Sequence, residues 1–175
     1  PFRGEYYMLR KGAQHLVKNL IYPVPNPDYP FLGVHFTRTI NGEIEAGPNA
    51  VLAFSREGYL MKHVNFREIF DYVSYRGFWL MVGKYWQTGW QEFYRSVFKK
   101  EFLKSLQNLI PSIKLEDIEK SPSGVRAQAL DPDGRLIDDF IVQRTQNMIH
   151  VLNAPSPAAT SSFSIANHIS NLYGS

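Results

Sequence analysis

The stretch with the most chemical potential in this chain runs from Asn153 to Ser162, Asn-Ala-Pro-Ser-Pro-Ala-Ala-Thr-Ser-Ser. Ser156 suits a helix N-cap and Pro157 a first helical position, while Ala158 and Ala159 are small enough to let a flat molecule approach the backbone. The amide donors and the dipole of such a helix start favour negative charge, so the stretch reads as a strand end that runs into an anion-receiving helix. An ordinary capped C-terminal helix has the same spacing, and both readings fit these residues. His35 is a second candidate, for a base or a substrate donor, because it shares a strand face with Thr37 and an imidazole titrates near neutrality. A lone strand histidine is more often structural. Asn49, after Gly47-Pro48, is either a loop residue or a polar pocket contact. His150 reads as sheet packing, and no set of His, Asp and Glu has metal-ligand spacing.

These groups must be positioned by a fold that 175 residues can supply as one unit with a core. Glu5–Leu9 and Leu20–Val24 are strand candidates, followed by a Pro/Asn/Asp-rich loop from Pro25 to Pro30. Gly33–Ile40, Asn41-Gly42 and Glu43–Ala46 predict a hairpin on a two-residue type I′ turn. That register sets Ile40 opposite Glu43, Thr39 opposite Ile44, Arg38 opposite Glu45 and Thr37 opposite Ala46, and pairs Arg38 with Glu45 across the strands. From Asn65 the period changes to that of a helix carrying Ile69, Phe70 and Val73, with interruptions at Gly77 and at Thr88-Gly89. A longer helix then buries Tyr94, Val97, Phe98, Phe102, Leu106, Leu109 and Ile110, and Pro111 stops it. A short Leu115–Lys120 helix, a second hairpin around Asp131-Pro132-Asp133-Gly134, a strand Met148–Leu152 and the Ser-Pro helix to about Tyr173 complete the chain. Strands, helices, strands and a helix predict an α+β fold, with a mixed or antiparallel sheet and the helices segregated to one side. Trp79, Trp86 and Trp90 read as core of the helical layer; a second reading makes Phe78–Met81 an exposed apolar patch that meets a membrane or an electron acceptor.

Composition narrows the function. The chain has no cysteine, which removes disulfide scaffolds, thiolate zinc sites and cysteine nucleophiles and leaves any redox chemistry to a cofactor. Nineteen basic and sixteen acidic residues give a formal charge of +3 without a basic block, so nucleic acid is not an expected partner. No apolar run is long enough to span a bilayer. There is no G-x-G-x-x-G, P-loop or G-x-S-x-G, and the opening on Pro1, without an initiator methionine or leader, reads as a cut from something longer.

Six blocks, in order along the chain, resemble one family: Phe2-Arg3-Gly4-Glu5-Tyr6, Ile21-Tyr22-Pro23-Val24-Pro25, Phe31–Thr37, Gly47–Phe54, Gly124–Asp131 and Asn153–Ser162. Together they are similar to the FAD-dependent L-2-hydroxyglutarate dehydrogenase/oxidase family of the D-amino-acid-oxidase-like flavoproteins. The resemblance implies that the whole chain, 1–175, is a substrate domain plus the last flavin-contacting strand and helix. It implies a missing N-terminal FAD-binding half, without which the chain binds FAD poorly. The implied partners are a dicarboxylate and an electron acceptor, whether quinone, oxygen or a carrier; a peripheral membrane contact is the expectation from the Phe78–Met81 patch alone. The implied place is cytoplasmic, or mitochondrial in a eukaryote.

The resemblance also distributes roles. Gly124-Val125-Arg126 is similar to the Gly-x-Arg-Pro element of related flavoenzymes, in which the arginine binds the substrate carboxylate beside the flavin. Here Ala127 replaces the proline. A guanidinium suits that task because it meets a carboxylate bidentately. Ala154, Pro155, Ser156, Pro157, Ala158, Ala159, Thr160 and Ser161 are implied contacts of the flavin's N1 and C2-carbonyl side, where a helix start would stabilise a reduced, anionic ring. Arg3 or Tyr6 is implied at the second carboxylate. His35 is the candidate base, with the absent half an equal source of one.

Overall fold

The computed structural model describes residues 1–24, 33–126, 128–154 and 158–173. Its main sheet is built on β1 (Phe2–Leu9), which lies between β3 (Ile44–Leu52) on one side and both β4 (Ile118–Lys120) and β5 (Gly124–Arg126) on the other. β2 (His35–Arg38) closes the far edge against β3, and every pairing in this sheet is antiparallel. Between β3 and β4 the chain forms α1 (Phe66–Val73), α2 (Arg76–Val97) and α3 (Lys99–Gln107). Two small hairpins follow, β6 (Ala129–Leu130) with β7 (Leu136–Ile137) and β8 (Val142–Arg144) with β9 (Ile149–Val151), and then α4 (Ser162–Tyr173). The molecule is α+β with antiparallel sheets, as the patterning predicted.

Alternation along β1 divides the sheet. Arg3, Tyr7 and Leu9 are buried towards the helices, and Tyr7 meets the Phe102 ring at 4.6 Å. With them Phe36, Ile44 and Ala46 from the sheet and Phe102, Leu106, Ile110, Ile113 and Ile118 make the core. Each large aliphatic or aromatic side chain fully buried there contributes roughly 1.5–3 kcal/mol. β3 changes phase midway, since Ile44 and Ala46 point inward and then Asn49 and Val51 do. Gly47 and Pro48 form the bulge that allows this, with Glu5 opposite Asn49 but Tyr7 opposite Ala46. Gly47 has φ +147° and lies so close to β1 that a Cβ would stand 2.8 Å from the Glu5 carbonyl oxygen.

The first hairpin departs from the predicted register by one residue. Thr39 donates its N–H to the Glu43 carbonyl and Gly42 donates to Thr39, so Ile40, Asn41 and Gly42 form a three-residue loop with Gly42 at φ +82°. The single left-handed residue after a type I turn replaces the type I′ turn, which would also have required Asn41 at positive φ. Arg38 therefore faces Ile44, not Glu45, and its guanidinium donates to the carbonyls of Gly42 and Val17 at 3.1 and 2.8 Å.

The helical region is also cut differently. Asn65 caps α1 as predicted, accepting from the amides of Arg67 and Glu68. α2 runs through both Gly77 and Thr88-Gly89, with its one non-helical residue at Tyr85. The long helix predicted beyond Gly89 is broken at Phe98, whose backbone is extended. Phe102, Leu106 and Ile110 are consequently buried, whereas Tyr94, Val97 and Phe98 remain exposed on the preceding segment. Trp79, Trp86 and Trp90 are 59, 60 and 64% exposed, so they are not core of a helical layer. Leu115–Asp117 is a single 3₁₀ turn leading into β4 rather than a helix to Lys120, and of Leu20–Val24 only Ile21 bridges to the sheet, opposite Phe36. Around Asp131 the turn forms as predicted, its carboxylate accepting from the amides of Asp133 and Arg135. The strands flanking it are short because β5 pairs with β1 instead.

That turn is seated on α2, since a Cβ on Gly134 would meet the Met81 amide at 2.8 Å and one on Gly77 would collide with the Asp131 carbonyl and the Tyr75 ring. Gly77→Ala should therefore destabilise the fold by roughly 1–3 kcal/mol in urea unfolding, through overpacking against backbone. Gly83→Ala, in the same helix with nothing near its Cα, should stabilise by roughly 0.5–1 kcal/mol.

Candidate functional site

The sequence-derived site residues fall on two faces of the main sheet. Arg3 and Asn49 lie on the face covered by α2, where Arg3 is only 2% exposed. The Arg3 guanidinium pairs with the Glu5 carboxylate at 2.9 Å, and the other Glu5 oxygen accepts from Ser96 Oγ on α2 at 2.6 Å. Asn49 Oδ1 accepts from the Glu5 amide, and its Nδ2 donates to the Glu5 carboxylate and the Glu92 carbonyl. Glu92 in turn accepts from the Ala50 amide and pairs with Arg95. This network joins β1, β3 and α2. Removing one partner of such a buried ion pair costs roughly 3–5 kcal/mol, because it strands the other charge. Glu5, Glu92 and Ser96 were not singled out from the sequence. The i, i+2 spacing of Arg3 and Glu5 on a strand was the available signal, since it puts both on one face.

Next to this network, α2 and the β1–β3 ladder enclose a cavity of about 490 Å³, lined by Val51, Phe78, Met81, Trp86 and Phe93 with Arg3 at its polar wall. Its volume is in the range of small-molecule sites.

Tyr6, His35 and Arg126 occupy the opposite face. His35 pairs with Gly47, and a Cβ on Gly47 would stand 3.0 Å from the Tyr6 ring, which brings His35, Gly47 and Tyr6 into one row. The His35 imidazole stacks on Tyr22 at 4.3 Å and 17°, while Tyr22 Oη bonds Thr37 Oγ1 at 3.3 Å. His35 Nδ1 lies 3.2 Å from the Gly33 carbonyl, an oxygen that can only accept, so Nδ1 carries the proton and Nε2 presents a lone pair. Burial lowers the His35 pKa from its ordinary value, against a smaller opposing effect of the Gly33 hydrogen bond. The ring is neutral at pH 7. Burial, then the charges of Glu45 and Tyr22, raises the Tyr6 pKa, so that its phenol stays a donor. Tyr22 had no local signal in the sequence as a partner of His35, because the stack follows from the long-range bridge between Ile21 and Phe36.

Arg126 reaches the same face from β5, where it is exposed opposite Phe2, with Val125 opposite Arg3. Four residues along β1 and three strand spacings separate Arg126 from His35, which corresponds to roughly 20 Å between their Cα atoms. Gly124 has open space around its Cα.

The remaining predicted contacts belong to another part of the fold. Pro155, Ser156 and Pro157 lie outside the described residues. Ala154 follows β9, which pairs with β8 in a sheet separate from that of β5. Asn153 accepts from the Ile141 amide and donates to the Asp139 carbonyl, holding the strand end against the segment before β8. Ala158, Ala159, Thr160 and Ser161 form the turn that enters α4, a helix whose described side chains are exposed apart from the half-buried Ile165 and Ile169. Among the described residues no cluster of His, Asp and Glu could hold a metal ion.

Comparison with known proteins places this arrangement. The family model described as FAD dependent oxidoreductase matches residues 1–172. Over 165 residues the chain is 59% identical to the L-2-hydroxyglutarate dehydrogenase of Indibacter alkaliphilus, covering 94% of this chain and 41% of that protein. It is 48% identical over 176 residues to the mitochondrial L-2-hydroxyglutarate dehydrogenase of Nematostella vectensis, with 98% and 39% covered. The Escherichia coli K12 protein of the same name is 46% identical over 169 residues, with 97% and 40% covered. The chain thus spans about two-fifths of the length of the curated relatives it matches. The match along almost the whole chain shows that it belongs to the FAD dependent oxidoreductase family.

Proposed function

We propose that this chain is the substrate-facing part of a flavoenzyme that oxidises L-2-hydroxyglutarate to 2-oxoglutarate. The observation that carries the reading is the 59% identity, over nearly the whole chain, to a protein named for that reaction. Residues 1–175 serve as the substrate domain together with the last flavin-contacting strand and helix. The residues present suit one side of FAD: a glycine with open space at its Cα, on an edge strand that ends in Arg126. No glycine fingerprint for the dinucleotide occurs in the chain, so that part of the cofactor belongs to polypeptide its longer relatives possess. When bound, the flavin supplies a two-electron acceptor for the C2 hydride. The bound flavin would pass the electrons on to oxygen, a quinone or another carrier, in the cytoplasm or, in a eukaryote, the mitochondrion.

The chain's own residues bind, orient and deprotonate. Arg126 grips one carboxylate bidentately, and Gly124 and Val125 keep the neighbouring wall thin. His35 Nε2 takes the hydroxyl proton, with its ring fixed by Tyr22 and by the Gly33 carbonyl. Tyr6, a protonated donor beside it, holds the second carboxylate. The separation of roughly 20 Å between Cα atoms, less the reach of an extended arginine and a histidine, leaves a gap suited to a five-carbon diacid lying between them. Arg3 and Asn49 hold the sheet on α2 and leave the binding to the other face. The segment Ala154–Ser161 completes the cofactor contact.

The test is an assay of the full-length flavoprotein with both stereoisomers of several hydroxy acids and amino acids. Turnover of L-2-hydroxyglutarate above all others is expected, and activity confined to an amino acid or another hydroxy acid rejects the substrate. Arg126→Gln should raise KM for the dicarboxylate by roughly 10- to 100-fold, the value of a charge-assisted hydrogen-bonded pair. His35→Gln should lower kcat by roughly 10²–10⁴. In the wild type the acid limb of kcat/KM should lie below pH 6.5, because burial depresses the His35 pKa, and the variant should lose that limb. Stability follows the same sign. Between the depressed folded value and 6.5 the unfolded chain binds the proton and the folded chain does not, so stability rises with pH across that window and is complete above it. An acid limb unchanged in His35→Gln would move the base to the other half of the enzyme.

A further inference from the structure

α2 is held at two places and spans a cavity between them. At one end the bare Cα of Gly77 admits the Asp131 carbonyl. At the other, Ser96 donates to the Glu5 carboxylate, Glu92 accepts from the Ala50 amide, and the Glu92 carbonyl accepts from Asn49. From Gly77 to Glu92 the helix rises over fifteen residues, roughly 22 Å. The cavity of about 490 Å³ lies under this span, with Phe78 and Met81, each 8% exposed, as its inner wall. Two departures of α2 from a well-formed helix fall on the same lining. One is the kink at Tyr85, with φ −115° and ψ 15°, and the other is Gly89, where a Cβ would meet nothing within 4 Å. Under α3 the packing is closed, since Phe102 and Leu106 are fully buried. Phe54, Trp86, Trp90 and Phe93 line the cavity and keep between 38 and 64% of their surface uncovered. A helix free to slide would settle onto such a space, because interiors pack to crystal density. Pinned at both ends, α2 keeps the cavity open.

The lining selects what fits. Arg3 and Glu92 are its only charged residues, and both are already paired, Arg3 with Glu5 at 2.9 Å and Glu92 with Arg95. An ionised ligand would enter this apolar space without a counter-charge, which is strongly unfavourable. Phenyl and indole rings from both β3 and α2 offer faces and edges to a flat partner, and Thr88 adds one hydroxyl. The volume is that of sites for drug-sized molecules, which share this pattern of apolar walls with few polar groups. Arg3 and the cavity lie on the opposite face of the sheet from Arg126 and His35, so the dicarboxylate reading neither supports this site nor depends on it. We propose that the cavity between α2 and the β1–β3 ladder is a second binding site, for an uncharged aromatic small molecule.

The test uses the full-length flavoprotein and two probes with one ring system, neutral phenylnaphthylamine and its sulfonate, anilinonaphthalenesulfonate. Phenylnaphthylamine should brighten at a single saturable site, and tryptophan excitation should transfer to it, because Trp86 and Trp90 line the cavity. The sulfonate should bind at least about tenfold more weakly, since its charge finds no partner. Saturating L-2-hydroxyglutarate should leave the affinity of the neutral probe unchanged. G89F puts a ring into the open space and should weaken that probe by about tenfold or more, each displaced methylene-sized group being worth roughly a factor of four. G89L should weaken it less, and carries the test if G89F does not fold. Both variants should keep the wild-type unfolding midpoint and flavin content. The proposal is overturned if phenylnaphthylamine does not bind, as polypeptide from outside this chain seated in the cavity would cause. It is equally overturned if the sulfonate binds as tightly, if the hydroxy acid displaces the probe, or if the folded Gly89 variants bind it as the wild type does.

Discussion

The constraint on which the structure turns is the two-residue alternation of β1. This strand alone pairs with β3, β4 and β5, so each of its side chains is committed to one of two environments by parity. Odd positions carry Arg3, Glu5, Tyr7 and Leu9 towards the helices, where three of the four are buried and Glu5 bonds Ser96 of α2. Even positions carry Phe2, Gly4 and Tyr6 to the face that β5 and β2 extend with Arg126 and His35. A slip of one residue would exchange a packed core and a salt bridge for a row of glycine and half-buried aromatics. The Arg3–Glu5–Ser96 contact makes such a slip expensive, because a charge displaced from its partner would stay buried.

Two irregularities convert that regular strand into a shaped site. The bulge at Gly47 and Pro48 inserts one residue in β3, which lets Ala46 and Asn49 both point inward and brings His35, through Gly47, level with Tyr6. The three-residue loop closed by Gly42 then sets the pairing that places His35 opposite Gly47 and frees Arg38 to tie the edge strand to the Val17 carbonyl. With the two-residue turn, Thr37 and not Phe36 would have faced Ala46, and the inward and outward residues of β2 would have changed places. The imidazole that stacks on Tyr22 would then have been pressed into the core.

The fold was legible where local chemistry decides it. Asn65 caps α1 because its side chain is short enough to reach two orphan amides, and Asp131 closes its turn for the same reason. What the sequence hid was decided at long range. Gly77 looks like a helix breaker in isolation, yet it lies inside α2 because the Asp131 turn needs its bare Cα for close approach. The 22 residues of α2 are held across three glycines by packing on β3, which outweighs a propensity cost of about 1 kcal/mol per glycine. Asn41-Gly42 supports either loop length, and only the partner strand selects between them. Of the site, His35 and Arg126 were visible as residue types suited to their chemistry, whereas the Tyr22 stack and the division of Arg3 and Arg126 between faces follow from register.

The polar network and the inner cavity are two consequences of one arrangement of α2. A helix that carries tryptophan as well as phenylalanine and methionine has a broad apolar surface with no single line by which it must settle, and area burial alone would let it roll. Ser96 bonded to Glu5, and Glu92 bonded to the Ala50 amide, are satisfied in one rotation only. Buried hydrogen-bonded charge contributes little net stability compared with a well-packed apolar substitute, but it discriminates strongly between neighbouring packings. The glycine contacts of the Asp131 turn fix the other end of the helix in the same sense. With rotation set at both ends, Phe78, Met81, Trp86 and Trp90 line the inner cavity, and the pairing of β1 with β5 keeps Arg126 on the far side of the sheet from it.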